Sequence, residues 1–318
     1  MTIWLNDGRP FVVQMASDLG LRRKDLYELA AEGRLRKVFK GVFVDSLTPD
    51  TRQQRLEAIR LITPADAVVS NESASWLMGV DAFKPSEQFL LKPSFVVPHG
   101  TTRLTVPGVK CRQARMQAKD IVEIDGVLVT TPLRTTSDLL RRLYRPYALA
   151  AADGMAHAGL VHTEEVWEFV AKLKGYPGIV QARSLALLIE PLAASAGESW
   201  HRLRICDAGF PLPTAQFNVT DAYGRERFLD LAYPHLKIAT EYDGREFHTD
   251  EYDVTHDASR RSYLSQVLGW RFVIARKESI FGTDASFEFE LGKLLGMEPL
   301  ARLWGTKSLA IRTNSLAA

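Results

Sequence analysis

Only two cysteines, Cys111 and Cys206, occur in this chain of 318 residues, far apart and outside any short-spaced Cys/His pattern. Their scarcity excludes a disulfide scaffold and argues against structural zinc, and it makes a reducing cytoplasm the expected setting. Long apolar runs are missing too: nowhere do about 18 consecutive apolar residues occur, so no membrane span is expected. The start, MTIWLNDGRPFVVQM, has no basic segment followed by an apolar one, so no export signal is expected. A large charge of one sign is also absent. With 40 Lys and Arg against 38 Asp and Glu the net charge is +2, so a nucleic-acid partner has to be sought in local clusters. What remains, 46% hydrophobic and 25% charged residues, is the composition of a globular protein long enough for two or three domains.

The first such cluster lies near the start. Val12, Val13, Met15, Ala16 and Leu19 have the spacing to line one helix ended by Gly20. A second helix is expected over residues 21–32, LRRKDLYELAAE, with Leu26, Leu29 and Ala30 inward, Gly33 as its C-cap, and Arg22, Arg23 and Lys24 at its N-terminal end. The next run, RLRKVFKGVFVD, sets Leu35, Val38 and Phe43 against Arg34, Arg36, Lys37 and Lys40, with Lys40-Gly41 as a hairpin turn. Seven cations face three acids between Leu21 and Lys40, which favours DNA over an ordinary solvated surface.

From residue 52 to 191 helical and strand-like segments alternate without recognisable chemistry. RQQRLEAIRLI and NESASWLMGV read as helices; FLLKPSFVV, RLTV and GVKCRQA read as strands; Asp125-Gly126 is a hairpin signal, and a helix begins near Pro132. Arg134 and Asp138 form a structural i, i+4 pair. A boundary is expected near Pro191, in a Pro/Ala/Ser/Gly stretch.

The final part carries an unusual set of acids. Ser195 and Glu198 match a capping box at the start of SWHRLRICDAG, so Glu198 serves either as a cap or as an acid of a metal site. AQFNVTDAYGRERFLDLAY folds as a strand pair turned near Asp221 to Gly224, and LKIATEYDG adds a third antiparallel strand. On that strand the period of two puts Glu241 and Asp243 on one face. If Pro234-His235 is the tip, Asp230 lies opposite Ala239 and diagonal to Glu241, about 7–8 Å away. Two carboxylates so placed repel one another unless a cation intervenes. Asp230 and Glu241 are therefore the candidate ligands of Mg²⁺ (or Mn²⁺), with His248 as proton donor or acceptor, in phosphodiester hydrolysis. The competing reading pairs Asp230 and Glu241 with Arg225, Arg227 or Arg245 across the sheet.

Two family resemblances sharpen this. The run LGLRRKDLYELAAEGRLRKVFKGVFVD, with SNESAS and VTTPLRTTSDLL, resembles AbiEi-type antitoxins over roughly the first 190 residues. It implies a winged helix that binds operator-type DNA through Arg22, Arg23, Lys24, Arg34, Arg36, Lys37 and Lys40. LDLAYPHLKIATEYDGREFH followed by HDASRRSYLSQVLGWRFVIAR is similar to the small PD-(D/E)xK endonuclease-like domains related to the very-short-patch repair endonuclease. That likeness implies a four-stranded mixed sheet flanked by helices, with Asp230, Glu241, Glu198 and His248 at the site and Arg260 either facing DNA phosphate or paired with Asp257. The lysine of the family pattern is missing, since Asp243 stands in its place.

The expected fold is mixed α/β (α+β): a winged helix over 1–50, an AbiEi-like α/β domain over 51–191, an endonuclease-fold domain over 192–300 and a tail over 301–318. The leading functional expectation is a cytoplasmic, Mg²⁺-dependent DNA endonuclease in phage defence or DNA repair, with catalytic residues Asp230, Glu241, His248, Glu198 and Asp243. The alternative is an antitoxin-type regulator whose nuclease-fold domain is inactive, with DNA and a cognate toxin or a second copy as partners. An RNA-directed nuclease is a third reading, because nothing in the sequence distinguishes the 2′-hydroxyl.

Overall fold

The computed structural model describes residues 5–64, 66–83, 90–102, 108–221, 224–243 and 261–302. They form an α+β protein with three sheets, and the chain divides into two compact units, Met1–Arg142 with Leu160–Arg183 and Leu143–Gly159 with Ser184–Ala318.

In the first unit the N-terminal helix expected before Gly20 is replaced by strand β1 (Phe11–Val12) and two short 3-10 turns, Val13–Met15 and Ser17–Leu19. Pro10 and the β-branched Val12 and Val13 favour extended backbone. Phe11 is also fully buried, stacked on Phe43 at 6.2 Å. Tertiary packing thus overrides the helical spacing. Helix α1 (Arg23–Ala31) follows, with Leu26 buried, and then β2 (Leu35–Phe39) and β3 (Val42–Asp45). The turn between these strands is Lys40-Gly41, as the sequence indicates, with Gly41 at φ +80° where a side chain would be strained. The sheet order is β1-β3-β2, and a bulge between Lys37 and Phe39 turns both Val38 and Phe39 inward.

Both faces of this small sheet are used. One packs Phe11, Leu26, Leu35 and Phe43 together; the other joins Val38, Phe39, Val42 and Val44 to the core beneath a second sheet. That five-stranded sheet has the order β6-β5-β4-β8-β7, built from β4 (Val68–Val69), β5 (Ser94–Pro98), β6 (Lys110–Ala114), β7 (Ile121–Ile124) and β8 (Val127–Thr130). Asp125 (φ 48°) and Gly126 (φ 78°) form the left-handed turn expected between β7 and β8. The segment FLLKPSFVV contributes a strand only from Ser94 onward, and RLTV lies outside the described residues. Helices α2 (Arg52–Arg60), α3 (Asn71–Leu77) and α4 (Pro132–Arg142) cover the sheet, α4 starting at the expected proline.

In the second unit α5 (Arg145–His157) packs along α8 (Ala196–Asp207). Asp153 and Arg202, both buried, form an ion pair of 2.5 Å between them, and Arg145 pairs with Asp207 at 2.6 Å. Between these helices in the chain come α6 (Thr163–Lys172) and α7 (Ile179–Ala186). The four-stranded sheet has the order β12-β11-β10-β9, from β9 (Thr214–Thr220), β10 (Glu226–Tyr233), β11 (Ile238–Asp243) and β12 (Arg271–Arg276). β9, β10 and β11 are antiparallel, whereas β11 and β12 are parallel, so the sheet is mixed. Residues 261–266 are helical (α9), and α10 (Lys277–Phe281) and α11 (Ser286–Leu295) complete the described chain.

Candidate functional site

Two places carry the residues singled out by sequence. The first is the surface around α1 and the β2–β3 hairpin. Arg22 occupies the N-cap of α1, where its guanidinium and its backbone amide both bind Asp25; the exposed ion pair is 2.9 Å long. Arg36 folds back, donating to Gln54 Oε1 at 3.2 Å, and so braces the strand against α2. Lys37 sits 5.1 Å from the centre of the Tyr27 ring, a cation–π contact joining hairpin and helix. Arg23, Lys24, Arg34 and Lys40 are exposed and form no ion pair with any described residue. Among the described residues these four, with Arg22 and Lys37, are the cations presented to solvent by the expected DNA-binding set. Arg260 lies outside the described residues.

The second place is the acidic row of the four-stranded sheet. The 3-10 turn Pro234–Leu236 and Lys237, held left-handed at φ 49°, make a longer connection than a two-residue tip. Tyr233 therefore pairs with Ile238 and Leu231 with Thr240. Continuing that register sets Asp230 directly opposite Glu241 rather than Ala239, with about 4.5–5.5 Å between Cβ atoms. A slip of two residues keeps the faces and changes the partners. The Tyr242 amide donates to Asp230 Oδ2 at 3.3 Å. Glu241 is 6% exposed and lies 3.8 Å from the Arg261 guanidinium, while Asp243 lies 3.9 Å from Arg276.

Glu198 acts as the cap its spacing suggests. Its amide donates to Ser195 Oγ at 3.2 Å, and its carboxylate accepts from Ser195 Oγ at 3.0 Å and from the Ala194 amide at 3.2 Å. It also accepts from Gln216 Nε2 at 2.9 Å. Gln216 was not legible as a site residue: the β9–β10 register places it beside Asp230, and its φ of 46° is an irregularity inside a strand. Arg225 and Arg227 reach Asp221 at 2.9 and 3.6 Å, and His248 and Arg245 lie outside the described residues. No three His, Cys, Asp or Glu among the described residues gather closely enough to hold a metal. Two adjacent carboxylates nevertheless match the hard-oxygen donors that Mg²⁺ takes from protein, the rest of its shell being water and phosphate.

Among the described residues no helix is long and apolar enough to cross a membrane. Residues 66–188 match the AbiEi antitoxin C-terminal domain. Two proteins of Mycobacterium tuberculosis, the uncharacterized protein MT2308 of strain CDC 1551 and the uncharacterized protein Rv2248 of strain H37Rv, are each 31% identical over 256 residues, which is 80% of this chain and 89% of the relative. The chain belongs to the family of these mycobacterial proteins and carries an AbiEi antitoxin C-terminal region within it.

Proposed function

We propose that this protein is a DNA-binding regulator of the antitoxin type. The AbiEi antitoxin C-terminal match over residues 66–188 carries the reading, and the exposed cations of the preceding segment supply the contact surface. In this reading α1 and the β2–β3 hairpin work as a winged helix. Arg23 and Lys24 approach phosphates from the helix N-terminus and Arg34 and Lys40 approach them from the wing, while Lys37, held on Tyr27, fixes the angle between them. A cognate toxin is the protein partner that the family match suggests. A promoter fusion to the DNA upstream of the protein's own coding sequence tests this. The intact chain should repress the reporter, and Arg23→Glu should relieve repression at equal protein level. Undiminished repression by Arg23→Glu would oppose the reading.

One observation favours a second reading, metal-dependent phosphodiester hydrolysis: the β10–β11 register, continued by one residue, sets Asp230 beside Glu241 on the adjacent strand. These two would hold Mg²⁺ or Mn²⁺, which when bound supplies Lewis-acid polarisation and a more acidic water. The Tyr242 amide orients Asp230, and Glu198 holds Gln216 in the same row. Where the endonuclease pattern has its lysine this chain has Asp243, facing Arg276. Supercoiled plasmid with Mg²⁺ or Mn²⁺ discriminates the readings: nicking by the intact protein that disappears in both Asp230→Ala and Glu241→Ala would establish the enzyme. No nicking with either metal would leave the regulator alone.

A further inference from the structure

Within the first unit, Asp138 of α4 is fully buried and is contacted by three guanidinia, from Arg112, Arg134 and Arg141. Arg134 continues to Asp120 at 2.8 Å. Sequence alone indicates one helical pair, Arg134 with Asp138; the sheet adds Arg112 from its edge strand β6. Arg142, exposed on the next position of α4, is pulled down by partial burial and by repulsion from Arg141 and Arg134, while Asp138 and Glu72 attract it. Beside them Lys110, also on β6, pairs with Glu72 at 2.9 Å and balances it. Leaving that pair aside, three guanidinia in the cluster face two buried carboxylates, an excess of one positive charge, to which the exposed Arg142 adds a second.

Buried charge that is not compensated is costly, and a purely structural network needs no such surplus. The guanidinia also have hydrogen-bonding capacity left, since Nε of Arg112, Nη2 of Arg134 and Nε of Arg141 have no partner among the described residues. Burial pulls Arg112 down to about 10, Asp138 opposing this and the other three guanidinia adding to it. Arg112 and Lys110, two residues apart and so on one face of β6, keep part of their side chains open to solvent, 17% and 34%, and Arg142 lies one turn beyond Asp138 on α4.

We propose that Arg112, Arg142 and Lys110, around the Asp138 ion cluster, bind a compact oxyanion of the phosphate class, carried on a small ligand such as a nucleoside polyphosphate. A phosphate bearing a charge of about −1.5 to −2 offsets the surplus, and guanidinium forks match its geometry. The proposal rests on the Asp138 cluster and not on the DNA reading, although Lys40 of the proposed DNA surface packs against Gly108, two residues before Lys110.

Calorimetric titration of the full chain with pyrophosphate, ATP and adenosine at constant ionic strength tests the proposal, with DNA binding followed in parallel. Saturable binding of pyrophosphate and ATP, absent for adenosine, is expected. Arg142→Gln, at an exposed position, should keep the melting temperature of the free protein, and both Arg142→Gln and Lys110→Gln should weaken both ligands roughly tenfold or more. Absence of saturable binding at millimolar pyrophosphate and ATP would overturn the proposal. So would binding that both variants leave unchanged, or variants that lose only duplex DNA while pyrophosphate and ATP fail to bind.

Discussion

At the scale of single residues, buried polar groups set the most distinctive behaviour. His201 on α8 is fully buried, 5.0 Å from the Phe287 ring, and neither ring nitrogen has a partner among the described residues. Burial pulls the imidazole from its ordinary 6.5 to about 3, so the native ring stays neutral where the unfolded one takes a proton. The native state then binds fewer protons than the unfolded one, and stability present above pH 6.5 is lost as pH falls toward 3. Between about pH 7.5 and about pH 5 the intact protein should lose about 2 kcal/mol more than His201→Phe, read by urea unfolding at each pH. A parallel decline in both proteins would assign the acid sensitivity elsewhere. Asp138 gives a second prediction. Removing its charge with Asp138→Asn strands three arginines, and unfolding stability should fall by about 3–5 kcal/mol. A loss under about 1 kcal/mol would show that the network is already relaxed by water.

At the scale of elements, the features legible in the sequence are those whose cause is local. The Lys40-Gly41 and Asp125-Gly126 turns, the α4 start at Pro132 and the Ser195–Glu198 cap each depend on a few neighbouring residues. What escaped depends on distant partners. Phe11 is drawn into a strand by Phe43; Arg112 meets Asp138 from 26 residues away; β12 joins β11 in parallel, so Arg276 arrives beside Asp243. The acidic row shows both sides of this. Alternation along β11 placed Glu241 and Asp243 on one face, but the turn holding Lys237 left-handed reset the register. Gly197 is equally silent in sequence, although a Cβ there would lie 2.4 Å from the Tyr242 ring, so α8 approaches β11 only because the position is glycine. Gly197→Ala should therefore cost about 1–3 kcal/mol in a thermal or urea melt. A neutral or stabilising effect, as expected from helix propensity alone, would contradict that packing.

At the scale of the whole molecule, a net charge of +2 conceals local surpluses on an otherwise balanced chain. One is the exposed set Arg23, Lys24, Arg34, Lys37 and Lys40; the other is the guanidinium cluster around Asp138. The match of residues 66–188 to the AbiEi antitoxin C-terminal domain supports the proposal that the first of these binds DNA. The most direct test is fluorescence anisotropy with duplex DNA from upstream of the protein's own coding sequence, over a series of salt concentrations. Binding by the intact chain should weaken linearly in log K against log salt. In the combined variant Arg23→Gln, Lys24→Gln, Arg34→Gln the slope should be shallower by about 0.9 for each phosphate contact removed. A variant with the affinity and slope of the intact chain would contradict the account.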